Sequence, residues 1–195
     1  MMTMQKRIAF YDRLDPDMEQ EFLGFRHEQF FNYDGKATEQ KLEQTYLDQD
    51  EKYFSEPSGY LFWLDQHDEI IACLLLFKRT IAFKDSEVFL GGFGTVCTHR
   101  DYRGKGLGTQ LLYSGMKYLK DWQCEVALLC TDIKEYGKFY SAAGFVPLKD
   151  GYDYIGKSGK NYHEDEGMIA YVLSKEKFDQ LLKSQERIDI GFGNW

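Results

Sequence analysis

From Thr95 to Thr109 the chain reads Thr-Val-Cys-Thr-His-Arg-Asp-Tyr-Arg-Gly-Lys-Gly-Leu-Gly-Thr. These residue types, in this order, suit the holding of an anion. Thr95, Val96, Cys97 and Thr98 are fit for a pleated strand. Leu107, Leu111, Leu112, Met116 and Leu119 recur at helical spacing. Between strand and helix lie Arg103, Gly104, Lys105, Gly106 and Gly108. A glycine-rich turn running into a helix leaves the first backbone N–H groups unpaired at the positive end of the helix dipole, where a phosphate binds. Glycine lets the main chain approach it closely. This turn is not a Walker loop, because no Lys-Ser or Lys-Thr follows any of its glycines. The dinucleotide G-x-G-x-x-G is excluded because the glycines stand at Gly104-x-Gly106-x-Gly108.

The turn matches R/Q-x-x-G-x-G/A through Arg103, Gly106 and Gly108. Further on, Phe139-Tyr140-Ser141-Ala142-Ala143-Gly144-Phe145 matches F-Y-x-x-x-G-F. With the two patterns in this order, the chain resembles the GNAT superfamily of N-acetyltransferases over roughly residues 60–173. The resemblance implies a mixed α/β sheet of about seven strands with helices on both faces, its fourth and fifth strands splayed around acetyl-CoA. Carried over by residue, the backbone of Val96, Cys97 and Thr98 binds the pantetheine arm. Arg103, Gly104, Lys105, Gly106, Leu107, Gly108 and Thr109 hold the pyrophosphate. Tyr140 is the acid for the departing thiolate; a phenol near pKa 10 is protonated at neutral pH.

Elements that would position these residues follow from pattern. A first strand is expected over Gln5–Tyr11. A helix starts at Asp15-Pro16, with Asp15 as cap. A second helix runs from Thr38 to Asp50. Tyr60–Leu64 and Ile70–Phe77 read as a hairpin, and Glu87–Thr98 as a long strand entering the glycine turn. Gly91, Gly92 and Gly94 suggest a bulge or a close approach within that strand. The helix over Leu107–Asp121 precedes the strand Val126–Thr131 and the helix Lys134–Ala143, closed by Gly144. Phe145–Leu148 begins another strand. Asp150–His163 reads as an exposed loop, Met168–Leu173 as the last clear strand, and Ser174–Lys183 as a short helix. With no linker or repeat, residues 1–195 are read as a single domain.

Composition narrows the function classes. A 43% hydrophobic and 16% aromatic content indicates a folded globule, and the net charge of −8 speaks against a nucleic-acid partner. The absence of an apolar run near 20 residues speaks against a membrane span. The N-terminal ten residues lack a signal-peptide core, so a cytoplasmic location is expected. Cys73, Cys97, Cys124 and Cys130 form no C-x-x-C pair, and no metal is expected.

The acceptor is less legible. Relatives place a glutamate in the fourth strand, but Gly91-Gly92-Phe93-Gly94 has no carboxylate, and the general base is left unassigned. Asp132 reads chiefly as a helix cap. Glu164-Asp165-Glu166-Gly167-Met168 and the closing Gly-x-x-Trp resemble aminoglycoside 2'-N-acetyltransferases. That resemblance implies that Asp165 and Trp195, the latter by its carboxylate, contact the acceptor. The leading expectation is transfer of acetyl from acetyl-CoA to a small cationic amine such as an aminoglycoside or polyamine. Protein N-acetylation and a non-catalytic acyl-CoA sensor stand as alternatives. The oligomeric state is not fixed by the sequence, and a homodimer is allowed.

Overall fold

The computed structural model describes residues 6–31 and 38–195. Its strands are β1 (Arg7–Tyr11), β2 (Gly59–Leu64), β3 (Ile70–Phe83), β4 (Ser86–Thr98), β5 (Val126–Cys130), β6 (Val146–Pro147), β7 (Tyr152–Ile155), β8 (Asn161–Glu164), β9 (Gly167–Tyr171) and β10 (Ile188–Phe192). The helices are α1 (Pro16–Arg26), α2 (Glu39–Lys52), α3 (Leu107–Asp121), α4 (Ile133–Ser141) and α5 (Lys175–Leu182). A π-helical turn, His27–Phe31, follows α1. Gln5, expected to open the first strand, lies outside the described residues.

Seven strands form one mixed sheet in the order β1-β2-β3-β4-β5-β9-β6. The β4–β5 pair is parallel and its neighbours are antiparallel. Helices cover both faces, as expected. On one face Phe22 and Phe25 of α1 and Phe178 and Leu181 of α5 join a core with Phe62, Leu90, Leu128 and Trp195. On the other, Leu107, Leu111, Leu112 and Leu119 of α3 join Tyr140, Phe93, Leu129 and Phe145. The alternation of side chains along β4 and β5 feeds both cores, so the two strands that must fork are anchored from above and below.

Local chemistry sets the helix ends. Asp15 accepts from Met18 N at 2.9 Å, and Pro16 opens α1. Asp132 accepts from Glu135 N at 2.8 Å and so caps α4. At its other end Phe145 N donates to Tyr140 O at 3.2 Å, with Gly144 at φ +90°. Gly144 thus turns the chain and leaves Tyr140 on the last turn of α4.

Two expectations are corrected. Asp150–His163 is not a loop throughout: Tyr152–Ile155 and Asn161–Glu164 pair antiparallel as a hairpin. Nor is Met168–Leu173 the last strand, since Ile188–Phe192 runs parallel to β7 and completes a second sheet, β10-β7-β8. Alternating buried Tyr152 and Tyr154 give that hairpin its inward face, a short period-two signal that flanking glycines and charges obscure.

Candidate functional site

Strands β4 and β5 are hydrogen-bonded only from Leu90–Val126 to Phe93–Leu129. Beyond Phe93, β4 runs on to Thr98 paired with β3 alone, while β5 continues to Cys130 paired with β9. The two strands therefore fork, and β4 presents an unpaired backbone edge toward β5. The register shifts between Cys73 and Leu75 of β3, opposite Thr95, whose φ is +48°. The bulge expected near Gly91–Gly94 thus lies at Thr95, one residue beyond, where it re-aims the strand edge into the fork.

Below the fork, His99 begins a 3-10 turn, Arg100–Tyr102, and the glycine turn follows. Gly104 and Gly106 take φ values of +73° and +78°, which only glycine adopts without strain. Gly106 caps α3 with no side-chain hydrogen bond to its first N–H groups, so those donors are left for an anion. Gly108 has a different purpose. A Cβ there would meet Phe139 Cζ at 3.1 Å, so the glycine lets α3 lie against α4. Arg103 Nε donates to Thr98 O at 3.0 Å and ties the turn to the end of β4. Lys105 Nζ donates to Asp101 O at 2.9 Å.

The fork opens into one continuous cleft of about 1140 Å³. Val96, Cys97, Thr98, Arg103, Gly104, Gly106, Leu107, Gly108, Thr109, Tyr140 and Trp195 all line it. Lys105 and Asp165 are not among its lining residues. The Asp165 carboxylate is turned instead to His163 Nε2, 3.0 Å away, with its side chain 88% exposed. A shallower depression of about 410 Å³ on β7 and β8 shares no lining residue with the cleft.

Tyr140 is buried against Phe139 and Phe145, with ring centroids 4.9 and 6.2 Å away. Burial pushes its phenol well above the ordinary range, and a hydrogen bond with Thr131 opposes the shift only in part. A phenol so placed keeps its proton at neutral pH, which suits an acid and not a base.

On the far side of the fork stands Trp195. Its ring stacks on Phe77 at 5.5 Å, and its Nε1 donates to Leu128 O at 3.2 Å. Arg79 lies 4.2 Å over the ring. The same guanidinium donates to the carbonyls of Ile190, Phe192 and Gly193 at 2.7, 2.8 and 3.1 Å, and to Ser55 Oγ at 2.8 Å. Burial pulls Arg79 down to about 10, so it is still a cation at neutral pH.

Sequence reasoning missed the rest of this wall. Glu19, Phe22 and Arg26 of α1, Gln29 and Phe30 of the π-helical turn, and Tyr53 and Tyr60 line the cleft. No spacing marks them, because each is an ordinary position on an amphipathic segment. Cys130 also lines the cleft. Burial raises its thiol to about 12, so it is a protonated thiol and not a nucleophile.

Among the described residues no group of His, Cys, Asp and Glu is arranged to hold a metal, and no helix is long and apolar enough to cross a membrane. The model of the acetyltransferase (GNAT) family matches residues 18–145, which include the forked strands, the glycine turn and Tyr140. The chain belongs to the GNAT family. GNAT enzymes are acetyl-CoA-dependent N-acetyltransferases that take acetyl-CoA as co-substrate. The fold is shared with solved GNAT structures. The GNAT N-acetyltransferase YhbS of Escherichia coli, in complex with CoA, is 15% identical with a TM-score of 0.60, over 96% of this chain and 89% of that one. A GNAT acetyltransferase from Staphylococcus aureus is 14% identical with a TM-score of 0.56, over 85% and 99%. Naa20 of Chaetomium thermophilum, in complex with a bisubstrate analogue, is 16% identical with a TM-score of 0.56, over 95% and 96%. No curated protein matches the sequence. The GNAT match is to the broad family and does not single out the aminoglycoside 2'-N-acetyltransferases.

Proposed function

We propose that this GNAT protein acetylates the primary amine of a small molecule whose body is apolar or aromatic and which carries a single positive charge. The observation that supports this is the acceptor wall. Phe22, Phe30, Tyr53, Tyr60, Phe77 and Trp195 line it, and Glu19 is the carboxylate that α1 contributes. Rings of this kind contribute apolar contact and cation–π attraction to a lone ammonium. A polycation such as an aminoglycoside needs several carboxylates spread along its length; besides Glu19 the cleft has Asp132, engaged in capping α4, and Glu135, and the aromatic wall is a poor match for such a ligand.

Acetyl-CoA enters along the free edge of β4. The backbone of Val96, Cys97 and Thr98 takes the pantetheine arm as an added strand would. Arg103 and the N–H groups from Gly104 to Thr109 hold the pyrophosphate, and Lys105 adds positive charge at the rim. The neutral amine attacks the thioester carbon, the C–S bond breaks, and Tyr140 gives its proton to the thiolate. Trp195 bounds the acceptor end. Asp165, turned toward His163, contributes at most long-range attraction for a cation approaching from that side.

A thiol-release assay with acetyl-CoA tests this reading against arylalkylamines, polyamines, aminoglycosides and peptides with free N-termini. The highest kcat/KM is expected for an arylalkylamine. Preference for an aminoglycoside or polyamine would refute the aromatic-acceptor assignment, preference for a peptide would favour protein N-acetylation, and acetyl-CoA binding without turnover would favour a sensor.

A further inference from the structure

Gln29 stands in the π-helical turn that follows α1. Helix α1 packs against β3, but the π-helical turn packs against β4, the strand whose free edge faces the fork. A π-turn adds one residue to the helical winding, and such turns recur at functional sites. Glu19, Phe22, Arg26 and Gln29 follow one another at helical spacing and all line the cleft. Arg26 donates its Nη2 across to Gln49 Oε1 on α2 at 2.9 Å. Gln29 Oε1 has no hydrogen-bond partner among the described residues. The residue is only 6% exposed, so bulk water does not supply the missing donor. A buried carbonyl without a donor costs stability, and folded proteins carry few of them. In the wall of a cleft, such a carbonyl gains its donor when a ligand arrives. The terminal torsion of a glutamine is broad, so a turn about that bond brings the oxygen to the cleft surface. Phe22, Phe30 and Tyr60 near it offer ring faces, which attract a cation without fixing the direction of an N–H bond. Glu19 lies ten residues earlier, about 15 Å along the helix, so it and Gln29 serve different positions in the cleft.

We propose that Gln29 is the hydrogen-bond acceptor for the nucleophilic nitrogen, the residue by which the cleft selects an amine over an apolar group of the same shape. The inference rests on the acetyl-transfer reading of the cleft. An N–H of the amine donates to Gln29 Oε1, and this aims the nitrogen lone pair at the thioester carbon held along β4. As the lone pair forms the C–N bond, the nitrogen becomes cationic. The amide dipole stabilises that charge more than it stabilises the neutral amine, so the contact strengthens toward the transition state. Gln29 takes up no proton. Its amide is neutral throughout, so it orients the nucleophile and is not the general base. Glu19, farther back on α1, draws the ammonium into the cleft by long-range attraction. The two residues divide the work, one attracting the charge and the other fixing the direction of the nitrogen.

The test compares the wild type with Gln29→Met and Gln29→Glu, using 2-phenylethylamine as substrate and propylbenzene, which has a methyl group in place of the amino group, as competitive inhibitor. Gln29→Met keeps the volume of the side chain and removes an unpaired buried carbonyl, so it is expected to fold. It should lower kcat/KM for the amine about tenfold or more. The inhibition constant of propylbenzene and the KM of acetyl-CoA should both stay within about twofold, which a general loosening of the wall would not allow. Gln29→Glu keeps an acceptor oxygen in place and should have an amine KM no higher than that of the wild type. A Gln29→Met variant as active as the wild type overturns the role of Gln29 while leaving acetyl transfer intact. So does one that loses propylbenzene and amine in the same ratio, or a Gln29→Glu variant with an amine KM raised as far as that of Gln29→Met. A rise in acetyl-CoA KM alone would place Gln29 on the donor and also overturn the assignment. A wild type that releases no thiol with any amine overturns the acetyl-transfer reading itself.

Discussion

The indole of Trp195 occupies the space that a side chain at Gly92 would need. A Cβ built on Gly92 collides with Cε2, Nε1 and Cζ2 of that ring, and one built on Gly94 meets the Trp195 backbone carbon at 3.0 Å. The missing strand-four carboxylate therefore has a steric cause, because its place is filled by the C-terminal segment. Gly92→Ala should push the indole off Phe77, raise the acceptor KM and leave the acetyl-CoA KM within about twofold. Steady-state kinetics with each substrate varied separately checks this. Equal increases in both KM values would show that Trp195 does not bound the acceptor end.

Arg79 holds that segment in place. Its guanidinium satisfies the carbonyls of Ile190, Phe192 and Gly193 and covers the Trp195 ring. Arg79→Met should cost about 2–4 kcal/mol, since it removes one donor shared by three carbonyls, of which Phe192 O keeps Ser55 Oγ at 3.4 Å. Urea denaturation gives the number. Limited proteolysis should also cut the variant near Gly191–Gly193 faster than the wild type, and an unchanged cleavage rate would argue against this anchoring.

On the proposed role of Tyr140, in which its hydroxyl acts on the leaving thiolate and not on the bound donor, Tyr140→Phe should lower kcat by about 10²-fold or more with little change in acetyl-CoA KM. Burial holds the Tyr140 phenol above its ordinary range. Wild-type kcat should therefore show no loss of this acid up to about pH 10. An alkaline limb well below that, absent from Tyr140→Phe, would mean that the phenol titrates normally.

The same burial ties stability to alkaline pH. Tyr53, Tyr140 and Tyr152 are all shifted upward by desolvation, and Cys124 and Cys130 are raised to about 11 and about 12. An upward shift means that the folded state keeps its proton after the unfolded chain has lost one. The stability is complete below the unfolded pKa values, about 8.5 for thiols and about 10 for phenols, and falls as pH climbs from there through the folded values. Denaturation free energies at pH 8, 9.5 and 11 should decline in that order, and tyrosinate absorbance of the buried phenols should appear only with unfolding.

Two turn residues should separate by role. Gly106 sits at φ +78°, and a Cβ there would meet only Gln110 Nε2 at 3.9 Å, so Gly106→Ala strains the backbone without a clash and puts a methyl group at the helix start. The acetyl-CoA KM should rise about tenfold, with a stability cost of about 1 kcal/mol. Lys105→Ala removes a charge already engaged with Asp101 O and should change the same KM about threefold at most. A larger effect from Lys105 would make it a direct ligand of the pyrophosphate.

The donor half was legible in the sequence because its chemistry is local. Arg103, Gly104, Gly106 and Gly108 adjoin a strand and a helix, and short-range rules dictate both the turn and its free N–H groups. Tyr140 was legible for the same reason, since Gly144 fixes the helix end that carries it. The glycines of β4 were visible too, but not what approaches them. The acceptor half depends on contacts between residues far apart in the chain. Trp195 meets Gly92, Arg79 meets Gly193, and Tyr152 meets Asn194. None of these pairs has a spacing that a periodicity could reveal. Asp165 shows the converse: a resemblance implied an acceptor contact for it, yet the β8–β9 turn directs it to His163. The sequence by itself pointed to the family and the donor, because both motifs are short stretches whose backbone conformation follows from neighbouring residues, and the forked strands were implied by that resemblance. Only the tertiary structure decided the shape of the acceptor wall, because packing brings three separate segments, α1, the end of α2 and the C-terminal strand, against one fork.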